Sequence, residues 1–246
     1  MPRYLADMTW PEVAAAVADG ATTVILPLGA TEQHGPHLPL GTDTVRALAL
    51  AERVAVHLPD ALIAPPLPVG CSDEHAGFAG LLSLNTATLV QVIIDCAGRM
   101  AAWGVRRLLL LSAHGGNDQA LAQVVTRLKR ELPDLLVWSP ADLLQVGAGV
   151  LAIAQADGLG PEAVGLHAGE GETSEMLCLR PDLVRRAAVA PGYTGDMEAI
   201  IATLQAVGLH PVTPNGVLGD PCAADAARGA RYLEAYAAAI AMELQL

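Results

Sequence analysis

This 246-residue chain is short of aromatic side chains, of charge in general, and of basic charge most of all. Aromatics make up only 3% of it, so its core has to be filled by aliphatic side chains; a hydrophobic content of 52%, mostly alanine and leucine, suffices for that. Charged residues amount to 16%, against about 25% in an ordinary soluble domain. A surface so poor in charge points to partial cover by other subunits. Fourteen Lys and Arg stand against 26 Asp and Glu, a formal net charge of −12, and no basic run exceeds the pairs Arg106-Arg107 and Arg185-Arg186. Binding a phosphate backbone needs a basic face, so nucleic acid is excluded as a partner.

Paired cysteines are missing too. Cys71, Cys96, Cys178 and Cys222 are scattered with no C-x-x-C spacing, which argues against a thiolate metal knuckle and against a disulfide framework. Cys96 and Cys178 lie in apolar, helix-like contexts and read as core residues; Cys71 lies in a polar loop. The longest charge-free candidate for a span, Leu143 to Ala156, contains two glycines and is shorter than the roughly 20 apolar residues that cross a bilayer. The opening residues, Met1 to Asp7, have no apolar signal core. The expectation is a cytoplasmic protein with no membrane partner, built as one domain over residues 1–246.

What is present is an alternation of apolar runs and amphipathic stretches. Thr22 to Leu28, Ala61 to Ala64, Arg106 to Ala113 and Leu135 to Trp138 read as strands. Helical spacing runs from Thr42 to His57, from Thr86 to Trp103 behind Asn85, from Asp118 to Glu131, and from about Ala224 to Glu243. Such alternation predicts βαβ units, hence an α/β fold with a mainly parallel sheet. Residues 191–221 are rich in proline and glycine and read as irregular. In open sheets of this kind ligands bind beyond the carboxyl ends of the strands. Polar clusters follow the first three strands: Glu32 to Asp43, Ser72 to His75, and His114 to Asn117.

Carboxylates mixed with imidazoles suit Zn²⁺, Mn²⁺ or Fe²⁺. Glu32 and His34 are two residues apart, so in an extended segment they project to one side. Asp43 arrives at a helix start, where free backbone N–H groups favour a carboxylate. His114-Gly115-Gly116 ends an apolar strand in a loop whose backbone approaches something closely. A later segment, His167 to Ser174, adds a histidine and the carboxylates Glu170 and Glu172 before an apolar run. The competing readings are plain ones: Thr42 or Asp43 capping one helix, Glu172 or Thr173 capping another, and His57 and His210 as solvated surface residues.

Taken together, the segments Leu26 to Pro39 with Asp43, Glu74-His75 through Phe78 to Leu84, His114 to Asn117, His167 to Gly169 with Glu172 to Ser174, and Gly216 to Pro221 resemble the creatininase (creatinine amidohydrolase) family. That resemblance implies a three-layer α/β/α fold, two divalent metal ions per subunit, a homo-oligomer such as a hexamer, and hydrolysis of a C–N bond in an amide or lactam. Glu32, Asp43 and His114 would hold one metal, His34 and a bridging Asp43 the other, with His167 transferring protons and Glu172 orienting it or a substrate amine. Creatininase carries a tyrosine and a metal-binding glutamate after the strand-end histidine. Gly115 and Gly116 stand there here, which makes Glu170 the expected fifth ligand. Ala163 and Val164 stand where creatininase has a tryptophan, which argues against creatinine as substrate. Ser72, His75 and Gly115 are expected to face the substrate, a small amide or short peptide. Other branches of the family include the peptidase of mycofactocin maturation, which releases a C-terminal dipeptide from a modified precursor, and a formamide hydrolase of the flavin/deazaflavin pathway. A non-catalytic, ligand-binding relative is the alternative from a different functional class.

Overall fold

A computed structural model describes residues 2–140 and 147–244. Four strands, β1 (Thr23–Leu28), β2 (Ala61–Ile63), β3 (Arg107–Ser112) and β4 (Leu136–Trp138), form one parallel sheet in the order β2-β1-β3-β4. Every residue of β1 is buried. Its side chains alternate between two cores, with Val24, Leu26 and Leu28 on one face and Ile25 on the other; Leu108 and Leu110 of β3 join the first, Leu109 and Leu111 the second. A strand covered on both faces has to be apolar throughout, which is why these runs lack a hydrophobic–polar alternation.

The helices are α1 (Trp10–Ala18), α2 (Thr42–Val56), α3 (Thr86–Ala102), α4 (Asp118–Glu131), α5 (Ala148–Ala156), α6 (Pro161–Val164), α7 (Glu170–Leu179), α8 (Met197–Val207) and α9 (Ala226–Glu243). Helices α3 and α4 cover the face of Val24 and Leu108, while α2 and α9 cover the face of Ile25 and Leu109, giving three layers, α/β/α. The Asn85 side chain caps α3 by accepting the Thr88 N–H at 2.8 Å. Four helices were not anticipated from the sequence, the single-turn α6 among them. Helix α1 starts at a capping box in which the Glu12 carboxylate accepts from both the N–H and the hydroxyl of Thr9 at 2.7 Å. Helix α8 is an apolar run inside the stretch read as irregular, where Gly195 and Gly208 on its flanks mask it. Helix α5 takes up part of the charge-free run; Leu143 to Val146 lie outside the described residues. Among the described residues no helix is long and apolar enough to cross a membrane.

Helix α7 is pinned to α9 by buried Glu170, whose carboxylate accepts from Arg228 Nε at 2.6 Å, Tyr232 OH at 2.8 Å and Ser174 Oγ at 2.5 Å. Gly229 lets the two helices touch, because any Cβ there would run into the Ser174 carbonyl.

The strand order sets the place of the site. From β1 the chain passes to β2 on one side, then returns across to β3 on the other, so β1 and β3 are neighbours whose following helices leave on opposite faces. Their carboxyl ends open a crevice at this switch point. Leu109 is wholly buried between β3 and the α2–α9 layer. Leu109→Ala is expected to lower stability by about 2–5 kcal/mol, read from the shift of the urea-unfolding midpoint at constant slope.

Candidate metal centre

The segment after β1 folds back on itself: the Glu32 N–H donates to the Leu40 carbonyl at 3.1 Å, and His34 pairs with Leu38 around Gly35, whose φ is +63°. This tight return carries Glu32 and His34 into the crevice. Asp43 lies in the first turn of α2, whose N-cap is Gly41 with no side-chain cap, so its carboxylate is free for another role. His114 follows directly on β3. Buried Asn117 ties the three loops together: its amide donates to the Gly29 carbonyl and to Ser112 Oγ, both at 3.2 Å, and its oxygen accepts the Cys71 N–H at 3.0 Å.

Two overlapping groups result. Asp43 Oδ2 and Glu32 Oε1 lie 3.6 and 3.3 Å from His114 Nδ1. Asp43 Oδ1 and Glu172 Oε2 lie 3.1 and 3.7 Å from His34 Nε2. Both sets fall within the reach of one ion, and Asp43 belongs to both. Glu32 Oε1 and Oε2 and Asp43 Oδ2 are buried, with no hydrogen-bond partner among the described residues. Orphaned carboxylate oxygens are costly inside a protein unless a cation satisfies them, so the residues fit a divalent metal.

The histidines sort by what faces their two nitrogens. His34 Nδ1–H donates to the Glu32 carbonyl at 3.3 Å while Nε2 faces Asp43. His114 Nε2–H donates to the Cys71 carbonyl at 2.7 Å, with buried Ser72 Oγ 3.3 Å away, while Nδ1 faces Glu32 and Asp43. These rings see acceptors on both sides. Burial works to lower both, yet Asp43 and Glu172 push His34 up to about 9, and Glu32 and Asp43 raise His114. The proton on the inward nitrogen is the one a metal ion displaces, and the outward hydrogen bond fixes the ring for it. Burial likewise pushes Glu32 up to about 8, against the pull of His114.

His75 and His167 are of the other kind. Gly35 N–H donates to Gln33 Oε1 at 2.8 Å, which orients the Gln33 amide so that Nε2 donates to the Gly216 carbonyl and to His75 Nδ1, both at 3.1 Å. His75 is therefore neutral, held well down by burial and by the neighbouring histidines, with its Nε2–H 3.1 Å from Glu32 Oε1. His167 Nε2–H donates to the Gln33 carbonyl at 2.6 Å, leaving Nδ1 toward Glu32 at 3.8 Å. Burial and the adjacent His34 ring, 4.2 Å between centroids, push His167 down to about 3. The residue after it, Ala168, is held at φ +51° and gives its N–H to Glu172 Oε2 at 2.7 Å.

Of the residues singled out from sequence, Glu32, His34, Asp43, His114, His167 and Glu172 converge here, with His75 and Ser72 buried against them. Gly115 is exposed, with open space where a Cβ would stand. Glu170 is not brought to the cluster: its carboxylate turns away to Arg228, Tyr232 and Ser174, and Glu172 occupies the position beside His34. His57 and His210 are exposed, the latter edge-on to Phe78. Sequence reasoning missed Arg46 and Glu175. Buried Arg46 donates to Glu172 Oε1 and Glu175 Oε2, both at 2.6 Å, and sits 3.7 Å from Asp43 Oδ1. Its position three residues after Asp43, on the same helix face, was the available signal.

A family model described as creatinine amidohydrolase matches residues 6–244 of the chain. The chain belongs to the creatininase family. It is 37% identical to the mycofactocin precursor peptide peptidase of Mycolicibacterium smegmatis over 213 residues, 85% of this chain and 78% of that one. It is 34% identical to the creatinine amidohydrolase of Pseudomonas putida over 193 residues, 74% and 73% of the two chains. A mutant creatininase solved in a Zn-Zn form superposes with a TM-score of 0.84 at 29% identity, over all of this chain and 98% of the other. As a creatininase-family member the chain is a hydrolase of carbon–nitrogen bonds. Gly116 marks where it departs from the creatininase pattern given above: a Cβ there would collide with the Cys71 carbonyl, the His114 ring and the Glu74 carboxylate, so the loop is closed to a side chain at that position. Gly116→Ala is expected to cost about 1–3 kcal/mol by displacing these groups, whereas Gly115→Ala, into open space, should stay within about 1 kcal/mol; thermal unfolding of the pair is the measurement, and equal losses would count against the packing described.

Proposed function

We propose that this protein is a two-metal amidohydrolase acting on a peptide-like amide. The observation that carries it is the set of buried, unpartnered oxygens of Glu32 and Asp43, fanned by His114 and His34 and overlooked by His167. Glu32, Asp43 and His114 would hold one ion; His34, Asp43 and Glu172 the other. Such ions lower the pKa of water and polarise an amide carbonyl. Zinc is supported by the Zn-Zn form of the solved relative; manganese and iron suit the same donors.

The chain's own groups do the remaining work. His167 Nδ1 is its one free nitrogen, since Nε2 is committed to the Gln33 carbonyl, and it is neutral at working pH. It can take a proton from the attacking water and pass it to the departing nitrogen, which otherwise leaves as a poor anion. Glu172 fixes the Ala168 N–H and with it the His167 loop. His75 turns its Nε2 toward Glu32 Oε1, 3.1 Å away, without a hydrogen bond to it, a positioning role more than a substrate contact. Glu74 and Glu172, with side chains 30% and 15% exposed, border the otherwise buried cluster.

A peptide-like substrate is supported by the similarity to mycofactocin precursor peptide peptidases and by the open space over Gly115, where creatininase carries a tyrosine. A homo-oligomer belongs to the same reading, supported by the sparse charge of the chain, and a cytoplasmic setting is kept with it as part of the proposal.

His167→Ala is expected to reduce kcat by about 10²–10⁴-fold with bound metal unchanged, while Asp43→Asn loses both metal and turnover; the assays are elemental analysis and hydrolysis of peptides, lactams and formamides side by side. Absence of turnover on the whole panel by fully loaded protein favours the non-catalytic relative, and preference for a formamide favours that branch. Because Glu32 and His34 are held near 8 and 9 in the metal-free protein, both carry protons at neutral pH and must release them to bind an ion, so affinity weakens as pH falls. Calorimetric titration in two buffers of different ionisation enthalpy should show proton release at pH 7, and buffer-independent heats would contradict it.

A further inference from the structure

We infer that Glu74 selects substrates that carry a primary ammonium group beside the scissile amide. The inference deepens the amidohydrolase reading above and rests on it. The other carboxylates around the crevice are committed. Asp73 accepts from Ser83 Oγ at 2.6 Å, Glu172 and Glu175 from Arg46, and Glu170 from Arg228 and Tyr232. Glu32 and Asp43 face His34 and His114 in the groups that suit an ion. Glu74 differs. Among the described residues no donor lies within hydrogen-bond distance of its carboxylate, and no arginine or lysine pairs with it. The two imidazole nitrogens near Oε1 are His114 Nε2 at 3.6 Å and His75 Nε2 at 3.8 Å. The first already donates to the Cys71 carbonyl at 2.7 Å. The second bears the hydrogen of its ring, because Nδ1 accepts from the Gln33 amide. His75 therefore has no lone pair for a cation, and the group Glu32, Glu74 and His75, although its atoms lie within 4.8 Å of one another, is not a third ion position.

Glu74 is also held in place. It lies in the turn Asp73–His75, its carbonyl accepts the Leu209 N–H at 2.8 Å, and Gly208, at φ +76°, packs against that carbonyl. Gly116 makes room for the carboxylate, since a Cβ there would stand 2.7 Å from Glu74 Oε1. Gly115 is exposed, with open space over it, and leaves the approach from solvent clear. The glycine pair thus seats the carboxylate and opens the way to it. With its side chain 30% exposed, Glu74 meets solvent on one side, while its carboxylate lies within 4.8 Å of that of Glu32 on the other. A group bound there is therefore close to the reacting amide. Free carboxylate lone pairs at a half-open mouth accept N–H donors, and a compact ammonium brings three of them with a matching charge. The same carboxylate repels an acidic substituent at that place, so Glu74 discriminates in both directions.

The test uses Zn²⁺-loaded protein and ligand pairs that differ only in the charge. Calorimetry compares glycinamide with glycolamide, in which a hydroxyl replaces the ammonium. Hydrolysis compares aminoacyl with hydroxyacyl amides, which place the amine on the carbonyl side, and dipeptides with lysine or norleucine after the scissile bond, which place it on the other. The ammonium member of at least one pair should be preferred by about tenfold, in Kd or in KM at similar kcat, the low end for a charged hydrogen bond at a site open to water. Glu74→Gln, which keeps the shape and removes the charge, should bring that preference to within about threefold. Elemental analysis accompanies the variant: loss of zinc with the preference intact means that Glu74 only braces the loop at His114, and overturns the inference. So does the lack of a preference in every pair with the unaltered protein. Discrimination in binding with no turnover of any pair upholds the inference and overturns the hydrolase reading. Turnover without discrimination does the reverse.

Discussion

Two carboxylates, Glu32 and Asp43, lie out of water at the switch point of a parallel sheet, and the architecture around them answers to that fact. Desolvating one carboxylate costs several kcal/mol unless positive charge or hydrogen bonds compensate it. The protein supplies partial compensation through inward nitrogens of His34 and His114, and through Arg46 behind Asp43. It leaves three oxygens without a hydrogen bond from any described residue. A fold that buries charge this way needs a rigid frame, and the frame here is unusually well tied. Asn117 joins the loops after β1 and β3 to the Cys71 loop, Gln33 orders His75 and His167 at once, and Glu170 locks α7 on α9.

The histidines illustrate how environment divides one residue type into roles. A ring between two acceptors is a proton carrier that a metal can replace, and His34 and His114 are of this kind. A ring whose nitrogen accepts from an amide is neutral with a fixed donor, as in His75. His167, with one nitrogen donated to a carbonyl and the other toward the cluster, has its remaining lone pair available. Except for His34, whose acceptors Glu32 and Asp43 are two and nine residues away, each of these distinctions depends on a partner far away in sequence.

The loop after β3 shows a family pattern altered without loss of the site. Gly116 is closely packed by Cys71, His114 and Glu74, so no side chain can enter there. The carboxylate beside His34 comes from Glu172, more than fifty residues further along the chain, and it is held in place by Arg46, which is itself braced by Glu175. Breaking the Arg46–Glu175 pair by removing one partner leaves a buried charge uncompensated, so the second position depends on residues that touch no ligand.

Much of this was legible in the amino-acid order. Four apolar runs and the amphipathic stretches between them are local signals, and burial of both sheet faces leaves little freedom in how they combine, so the parallel α/β layering followed from the sequence. The Glu32–Asp43 segment, His114 and His167 were legible because their residue types and spacing are rare without chemistry. Helices α1 and α8 were not, since their signals are short and lie beside prolines and glycines. The choice between Glu170 and Glu172 could be made only in three dimensions: two residues apart near the start of one helix, they point in different directions, and Arg228 and Tyr232 of α9 claim the first while Arg46 of α2 claims the second. Periodicity and residue type are properties of a few neighbouring positions, whereas the partner that satisfies a buried charge is set by how distant helices pack.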